Sequence, residues 1–299
     1  MGAAKTLAAK PTEARTRLPG RSTPVLQPAT DPRRPWRDTR LLRVNGSDVA
    51  DTPVVGLLDH LHAGDVLVLN DASTLPASLK AVWDHQPIEL RLAGPSFAPD
   101  GMHADAFPAH WWAVVFGEGD WRDDTDTRPP PPPLPVGARL SWRGMSARVR
   151  SSRGRLVELE FAASGDVLAA FLYAAARPVQ YRHLHAPLEL HQVQTPYGQR
   201  PWAVEMASTG RPLRWPLLRM LRARGVELAW LTHAAGLSAT GSAALDAALP
   251  LPERYDVPLE TLEHIARAKA CGRRVAAVGT TAVRALAHCA VGGCRLYPS

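Results

Sequence analysis

Cysteine is scarce in this chain. The 299 residues include only three cysteines, Cys271, Cys289 and Cys294, and these form neither a CxxC pair nor a metal-ligand spacing. Zinc-binding and thioredoxin-like motifs require such pairs, so the sequence indicates neither. We therefore predict a chain without a disulfide framework in a reducing compartment, the cytoplasm.

Long hydrophobic runs are lacking as well. The longest is about Val167–Ala176, well short of the roughly 20 apolar residues that a membrane-spanning helix needs. We therefore expect no membrane association, and we interpret this run as a helix of a folded domain.

The third shortage is net charge in the body of the chain. The formal charge of +7 arises in residues 1–43, which hold ten Lys/Arg and three Asp/Glu, whereas residues 44–299 hold 25 of each sign. The body thus has no overall basic field of the kind that indicates a nucleic-acid partner. Residues 178–299 carry a net charge of +6, so a polyanion site in the body is expected there.

What the sequence does contain is a globular composition after an unusual tail. Hydrophobic residues make up 45% and charged residues 21%, which is typical of folded domains. Residues 1–40 are instead rich in Ala, Pro, Thr and Arg, and we predict a disordered basic tail. Three interpretations of the tail are open: it has no specific role, it contacts RNA, or it is an organellar transit peptide. The prolines argue against a transit peptide, because they disfavour the amphipathic helix that such a peptide forms.

Two sequence patterns divide the body. Residues 41–71 and 167–299 show buried strands and amphipathic helices, which predict an α/β domain. Residues 72–166 instead show period-two strands joined by Gly, Pro and Asp, including the Pro129–Pro133 run, which predict an inserted antiparallel β-barrel. The fold class is therefore a discontinuous α/β domain with an inserted β-barrel domain. The barrel strands are predicted at residues 88–92, 111–116, 139–142 and 157–161.

Helices and strands of the α/β domain are marked by local signals. Leu217, Leu218 and Leu221 form the inward face of a helix over residues 216–224, which Gly225 closes. A second helix is predicted over residues 259–270. Strands are predicted at residues 40–44, 66–69, 226–231 and 275–278, and a short helix at residues 54–62.

Polar residues follow two of these strands. Thr232-His233 ends one strand, and Gly279-Thr280-Thr281 follows another, with Thr280 as the expected N-cap of the next helix. Ligands of open α/β sheets bind at the carboxyl ends of strands, and a helix start attracts anionic groups. Each feature also has an ordinary alternative: a βα turn without function, and a histidine that is hydrogen-bonded in the core.

Four segments together carry a resemblance to a known family. They are VLVLNDASTLPASL at 66–79, QTPYGQRPWAVEMASTG at 194–210, ERYDVP at 253–258 and GTTAVRALA at 279–287. In this order and spacing, the chain resembles the S-adenosylmethionine:tRNA ribosyltransferase-isomerases of queuosine biosynthesis. The resemblance covers roughly residues 41–290 and implies an α/β domain interrupted by a β-barrel.

The resemblance also implies a reaction. The ribosyl part of S-adenosylmethionine is transferred to 7-aminomethyl-7-deazaguanine in tRNA and rearranged to an epoxycyclopentane, while adenine and methionine leave. S-adenosylmethionine is then a co-substrate, no metal is required, and tRNA is the partner. We expect a cytoplasmic monomer with neither a membrane nor a protein partner.

Site residues follow from the matched motifs. His233 and Glu253 are the candidate catalytic groups for proton transfer. Asn70, Gln194 and Tyr197 are expected to line the pocket. The remaining substrate-binding candidates are Ser208, Gly210, Gly279, Thr280, Thr281 and Arg284. Alternatives remain open at three positions: Tyr197 as a core residue, Arg284 as a partner of Glu253, and Asn70 as the cap of a strand end.

The chain also departs from the family pattern. Arginine is replaced by Ser73 and Ser78, histidine by Pro212 and Leu251, and a glutamate by Ala287. The family continues with a closing motif where this chain ends in CRLYPS. Two alternatives to the family activity follow from these differences: a divergent paralogue with another acceptor, and an inactive, truncated member.

Overall fold

The computed structural model of the chain describes residues 35–96 and 107–292. The predictions for the tail up to residue 34 and for the terminal CRLYPS lie outside these residues. Within residues 35–40, which we assigned to the tail, Trp36–Asp38 forms a 3-10 helix and the first strand begins at Arg40. Regular structure is therefore present within the last residues of the segment that we assigned to the tail.

Strands account for much of the described chain. In order they are β1 (Arg40–Asn45), β2 (Asp48–Pro53), β3 (Val66–Asn70), β4 (Ala72–Thr74), β5 (Ser78–Trp83), β6 (Gln86–Pro95), β7 (His110–Phe116), β8 (Arg139–Trp142), β9 (Met145–Arg153), β10 (Leu156–Phe161), β11 (Arg200–Ala203), β12 (Glu227–His233), β13 (Tyr255–Asp256) and β14 (Val275–Ala277). The α-helices are α1 (Gly165–Ala175), α2 (Trp215–Ala223), α3 (Ala243–Asp246), α4 (Leu259–Ala270) and α5 (Gly279–Gly292).

A four-stranded sheet, in the order β13-β12-β3-β14, carries the helices. Strands β12, β3 and β14 are parallel, and β13 runs antiparallel to β12 at the edge. The side chains of β3 alternate between two buried layers: Val66 and Val68 pack with residues of α4 and α5, whereas Leu67 and Leu69 pack with residues of α2. The continuous apolar run of β3 is thus explained by helices on both faces of the sheet.

A six-stranded antiparallel sheet, in the order β5-β6-β7-β10-β9-β8, is formed by the residues between β4 and α1. Its two outer strands, β5 and β8, lie close to each other: Nε1 of Trp142 on β8 donates a hydrogen bond of 2.7 Å to the carbonyl of Lys80 on β5. The sheet therefore curls into a barrel-like shape around its own apolar core. The prediction of a mixed α/β fold with an antiparallel, barrel-like sheet is confirmed at this level.

Two strands of the six-stranded sheet were missed. Met145, Ala147 and Val149 of β9 are buried in alternation with serine and arginine, a period-two pattern that we did not assign to a strand. Strand β5 alternates only in part. The short segment at 54–62 is also corrected: it forms a 3-10 helix that ends at Asp59, and Gly56 is a poor residue for an α-helix.

The helix predictions near the C-terminus agree closely with the structure. Leu217, Leu218 and Leu221 of α2 are fully buried, and Gly225 after it has a φ of +82°. Helix α5 begins at Gly279 rather than after it, so Thr280 belongs to the first turn and is not the N-cap. Gly279 has a φ of +85°, which glycine adopts without the strain that other residues incur.

The expectations drawn from cysteine and hydrophobicity have different outcomes. Cys271 is a free thiol, whereas Cys289 is disulfide-bonded. This single bonded cysteine qualifies the prediction of a chain without a disulfide framework, because a reducing compartment favours free thiols. In the part of the chain that the structure describes, no helix combines the length and the apolar character that crossing a membrane requires.

Candidate active site

Asn70 joins the elements that form the site. It is the last residue of β3 and is 2% exposed. Its Oδ1 accepts hydrogen bonds from the backbone N–H groups of His233 (2.9 Å) and Ala72 (3.1 Å), and its Nδ2 donates to the carbonyl of His233 (3.0 Å) and to Oγ1 of Thr281 (3.1 Å). Because these bonds occupy the whole amide, Asn70 holds β3, β12 and the start of α5 in register.

A cleft of 350 Å³ opens beside this junction. The segment after β11, the loop after β12 and the first turns of α5 form its wall. Its charged lining residues are Glu205, Glu253 and Arg284, and its hydroxyl-bearing lining residues are Ser208, Thr209, Ser238, Thr280 and Thr281. Six of the predicted site residues come together at or directly behind this cleft: His233, Glu253, Ser208, Thr280, Thr281 and Arg284.

Glu253 is the centre of a charged group in the cleft. Its Oε1 accepts a hydrogen bond of 2.6 Å from the N–H of Gly236, while its Oε2 lies 2.7 Å from Nη1 of Arg284 and 3.5 Å from Nε2 of His233. Its side chain is 7% exposed and that of Arg284 is 45% exposed. The pairing of Arg284 with Glu253, one of the alternatives raised from the sequence, is thus present in the structure.

His233 lies behind Glu253 and is not among the residues that line the cleft. Its ring is buried against Tyr255, whose hydroxyl lies 2.5 Å from Nδ1 of His288. Burial lowers the pKa of His233, and the positive charge of Arg284 lowers it further, to about 4. The imidazole is therefore neutral at pH 7 and is available to accept a proton.

Glycine is required where the 3-10 helix Ser208–Gly210 meets its neighbours. A Cβ atom on Gly279 would overlap the Thr209 hydroxyl, and one on Gly210 would overlap the Tyr197 hydroxyl. The backbone of α5 therefore comes close to Thr209 because residue 279 has no side chain. Gly210 and Gly279 shape the cleft through these contacts.

Gln194 and Tyr197 lie away from the cleft wall. The side chain of Gln194 bonds to both backbone groups of Thr74, accepting from its N–H (2.8 Å) and donating to its carbonyl (2.9 Å). Tyr197 is 3% exposed and packs against Trp230, with ring centroids 5.3 Å apart, and burial raises its pKa. The structure therefore places Gln194 as a tie to β4 and Tyr197 in the core, the alternative raised from the sequence.

Glu205 and Thr209 line the cleft but were not singled out from the sequence. Oε1 of Glu205 accepts a hydrogen bond of 2.5 Å from the hydroxyl of Tyr181. The available signal was a single carboxylate in the otherwise apolar stretch 201–207. Elsewhere in the described residues, no group of three or more His, Cys, Asp or Glu side chains has an arrangement that could hold a metal ion.

Two departures from the family pattern have structural partners here. Ser78 donates a hydrogen bond of 2.8 Å to Oε1 of Glu89 in the six-stranded sheet. Leu251 packs against the core of that sheet. Both replacements are thus accommodated by contacts of the six-stranded sheet.

The sequence model of the family described as "Queuosine biosynthesis protein" matches residues 23–295. The chain therefore belongs to the queuosine biosynthesis protein family, as the resemblance predicted.

The curated relatives share one name. The chain is 30% identical to an S-adenosylmethionine:tRNA ribosyltransferase-isomerase of Magnetococcus marinus, over 88% of this chain and 69% of that protein. It is 29% identical to the enzyme of the same name in Thermus thermophilus, over 88% of this chain and 72% of that protein. The chain is also similar to a solved structure, S-adenosylmethionine tRNA ribosyltransferase from Thermotoga maritima. The two are 21% identical, the match covers 90% of this chain and 70% of that one, and the TM-score is 0.37.

Proposed function

We propose that this chain is an S-adenosylmethionine:tRNA ribosyltransferase-isomerase. It transfers the ribosyl part of S-adenosylmethionine to 7-aminomethyl-7-deazaguanine in tRNA and isomerises it, giving epoxyqueuosine-tRNA. The observation that carries the proposal is the grouping of His233, Glu253 and Arg284 at one polar cleft in a chain of this family. The name shared by the relatives favours this activity over a paralogue with another acceptor.

The first chemical requirement is a base. A proton must leave the carbon next to the sulfonium, whose positive charge makes that carbon acidic. Glu253 reaches the cleft, and the neutral imidazole of His233 lies 3.5 Å behind it. We assign the proton transfer to this pair, with Glu253 facing the substrate and His233 as the second acceptor.

The second requirement is a site for anionic groups. Thr280 and Thr281 are in the first turn of α5, where backbone N–H groups lack helical partners, and Arg284 follows one turn later. Arg284 is 45% exposed and so can reach a ligand while it remains beside Glu253. This arrangement fits the carboxylate of the methionine part of S-adenosylmethionine.

The domain division forms part of the proposal. We assign residues 41–71 and 167–299 to a discontinuous α/β domain and residues 72–166 to an inserted barrel. The parallel pairing of β3 with both β12 and β14 supports this division, because the partners of β3 follow the whole six-stranded sheet in the chain. We further propose a cytoplasmic monomer that uses S-adenosylmethionine as co-substrate without a metal, and we assign no role to the tail.

Adenine release tests the activity. The full chain is incubated with S-adenosylmethionine and precursor-bearing tRNA, and adenine and the modified nucleoside are measured by mass spectrometry. We expect His233→Ala to lower turnover by about 10²–10⁴-fold, the range for loss of a proton-transfer group. His62→Ala is the matched control, because His62 is exposed and precedes the amino end of β3, away from the cleft.

The outcomes separate the alternatives. Bound S-adenosylmethionine without adenine release would contradict the tRNA reaction and favour a paralogue with another acceptor. Neither binding nor release would favour an inactive member. Full activity in both His233→Ala and Thr281→Ala would refute the placement of the site.

A further inference from the structure

Glu205 contributes a carboxylate to the cleft that neither proton transfer nor anion binding uses. It follows β11 and lies in the cleft wall with Glu253 and Arg284. Its side chain is partly buried. A carboxylate in such a position is costly unless hydrogen bonds or a positive charge compensate for the lost water.

Hydrogen bonds fix one oxygen of this carboxylate. Oε1 accepts from the hydroxyl of Tyr181 (2.5 Å), from the N–H of Ser238 (2.9 Å) and from the hydroxyl of Ser238 (3.3 Å). Across residues 35–96 and 107–292, every hydrogen bond to Glu205 ends on Oε1. Within these residues the carboxylate is therefore held in one orientation, and no donor bonds to Oε2.

Within the described residues Glu205 forms no ion pair, whereas Glu253 has Arg284 at 2.7 Å. The charge of Arg91 acts on Glu205 only at longer range and lowers its pKa less than burial raises it. Of the charged lining residues, Glu253 and Arg284 compensate each other, so the cleft retains the charge of Glu205. Burial raises the pKa of Glu205, and a cation beside the carboxylate would oppose that effect.

We propose that Oε2 of Glu205 binds a positively charged group of the co-substrate, either the sulfonium or the α-ammonium of S-adenosylmethionine. This inference rests on the proposed function and adds a cation subsite to the cleft. Glu205 is then a residue that recognises the charge of the co-substrate, and if the group is the sulfonium, it also discriminates against methionine, which lacks that charge. Tyr181 is a positioning residue that acts through Oε1 of Glu205.

Three ligands of graded charge test the subsite by titration calorimetry. S-adenosylmethionine carries both the sulfonium and the ammonium, S-adenosylhomocysteine only the ammonium, and 5′-methylthioadenosine neither. We expect Glu205→Gln to weaken the binding of S-adenosylmethionine about 10- to 100-fold, the effect of one charge-assisted hydrogen bond. The affinity for methylthioadenosine should not change. If S-adenosylhomocysteine is unaffected, the group is the sulfonium, and if it weakens equally, the group is the ammonium.

Matched variants keep the test specific. Glu263→Gln makes the same change on the exposed face of α4 and should alter none of the affinities. Tyr181→Phe should weaken the binding of S-adenosylmethionine less than Glu205→Gln does, and it should leave the affinity for methylthioadenosine unchanged. Equal weakening of all three ligands by Glu205→Gln would show a structural role and overturn the subsite.

The failure of this inference is distinct from that of the proposed function. Wild-type protein that binds S-adenosylmethionine, together with a Glu205→Gln variant that binds it equally well, would refute only the subsite. Wild-type protein that binds none of the three ligands would refute the co-substrate and, with it, the subsite.

Discussion

Two glutamate–arginine clusters in this molecule have similar distances and different surroundings. In the six-stranded sheet, Glu89 lies 2.8 Å from Arg91 and 2.5 Å from Arg128, and these side chains are 4%, 1% and 0% exposed. In the cleft, Glu253 lies 2.7 Å from Arg284, which is 45% exposed. The arginines of the first, closed cluster are buried, whereas the arginine of the second, open cluster is half-exposed.

The closed cluster is also held by other protein groups. Arg128 donates to the carbonyls of Gly117 (2.6 Å) and Gly119 (3.0 Å), and the guanidinium of Arg91 lies over the ring of Phe116 at 4.4 Å. Burial alone would raise the pKa of Glu89, but the charges and hydrogen bonds of the arginines outweigh it and hold the pKa at about 2. Such a cluster supports the fold, whereas an arginine left half in solvent is free to bind a ligand.

The largest effect is expected from breaking the closed cluster. Arg128→Ala leaves Glu89 buried with one partner fewer, and removal of one member of a buried pair costs about 3–5 kcal/mol. Urea unfolding measures the loss in free energy. The matched control is Arg122→Ala, whose arginine is 64% exposed beside Asp120 and whose loss should cost less than about 1 kcal/mol. Equal costs for the two variants would remove the distinction between closed and open ion pairs.

A smaller effect is expected from pH. The pKa of His233 is about 4 in the folded chain against 6.5 for an ordinary histidine, so between these pH values the unfolded chain binds more protons and stability rises with pH. The contribution is complete above pH 6.5 and is lost as pH falls towards 4. At pH 5 the expected loss is about 2 kcal/mol relative to pH 7.5.

Urea unfolding at pH 7.5 and 5 checks this dependence, with His233→Gln as the comparison. The variant should lose most of the difference between the two pH values. The Glu89 cluster adds little in this window, because its low pKa confines its titration to more acidic solutions. An unchanged pH dependence in His233→Gln would contradict the assignment.

The smallest effect on stability is expected at the open pair. Arg284→Gln should change the free energy of unfolding by about 1 kcal/mol, because the arginine is 45% exposed and the glutamine amide can still donate a hydrogen bond to the buried Glu253. It should also raise the pKa of His233, since the charge of Arg284 helps to lower it. NMR titration of the imidazole measures this shift, and a pKa that stays constant or falls would refute the electrostatic link.

Local sequence patterns predicted the elements better than the site. The face of α2 was predictable because Leu217, Leu218 and Leu221 follow the period of the helix. Strand β9 also carries the period-two alternation of a strand in Met145, Ala147 and Val149, so it was predictable from the sequence although we did not predict it. By contrast, the approach of Thr281 to Asn70 depends on a hydrogen bond across 211 residues, which no local pattern encodes.

For the site residues, the decisive factor was the direction of each side chain. His233 and Glu253 end up adjacent because β12 and the segment before β13 meet at one sheet edge. Tyr197 belongs to a matched motif but points into the core. Glu205 acquires its position from Tyr181 and Ser238, and these contacts exist only after the chain has folded.

The amide of Asn70 has a consequence for the order of folding. Its bonds to His233 and Thr281 span 163 and 211 residues, whereas the six-stranded sheet forms from neighbouring strands between residues 78 and 161. Contacts between distant residues form later than local ones, because a longer loop must close first. We therefore expect a chain that is still emerging from the ribosome to complete its barrel-like sheet before Asn70 can bond to His233 and Thr281. The cleft should assemble last.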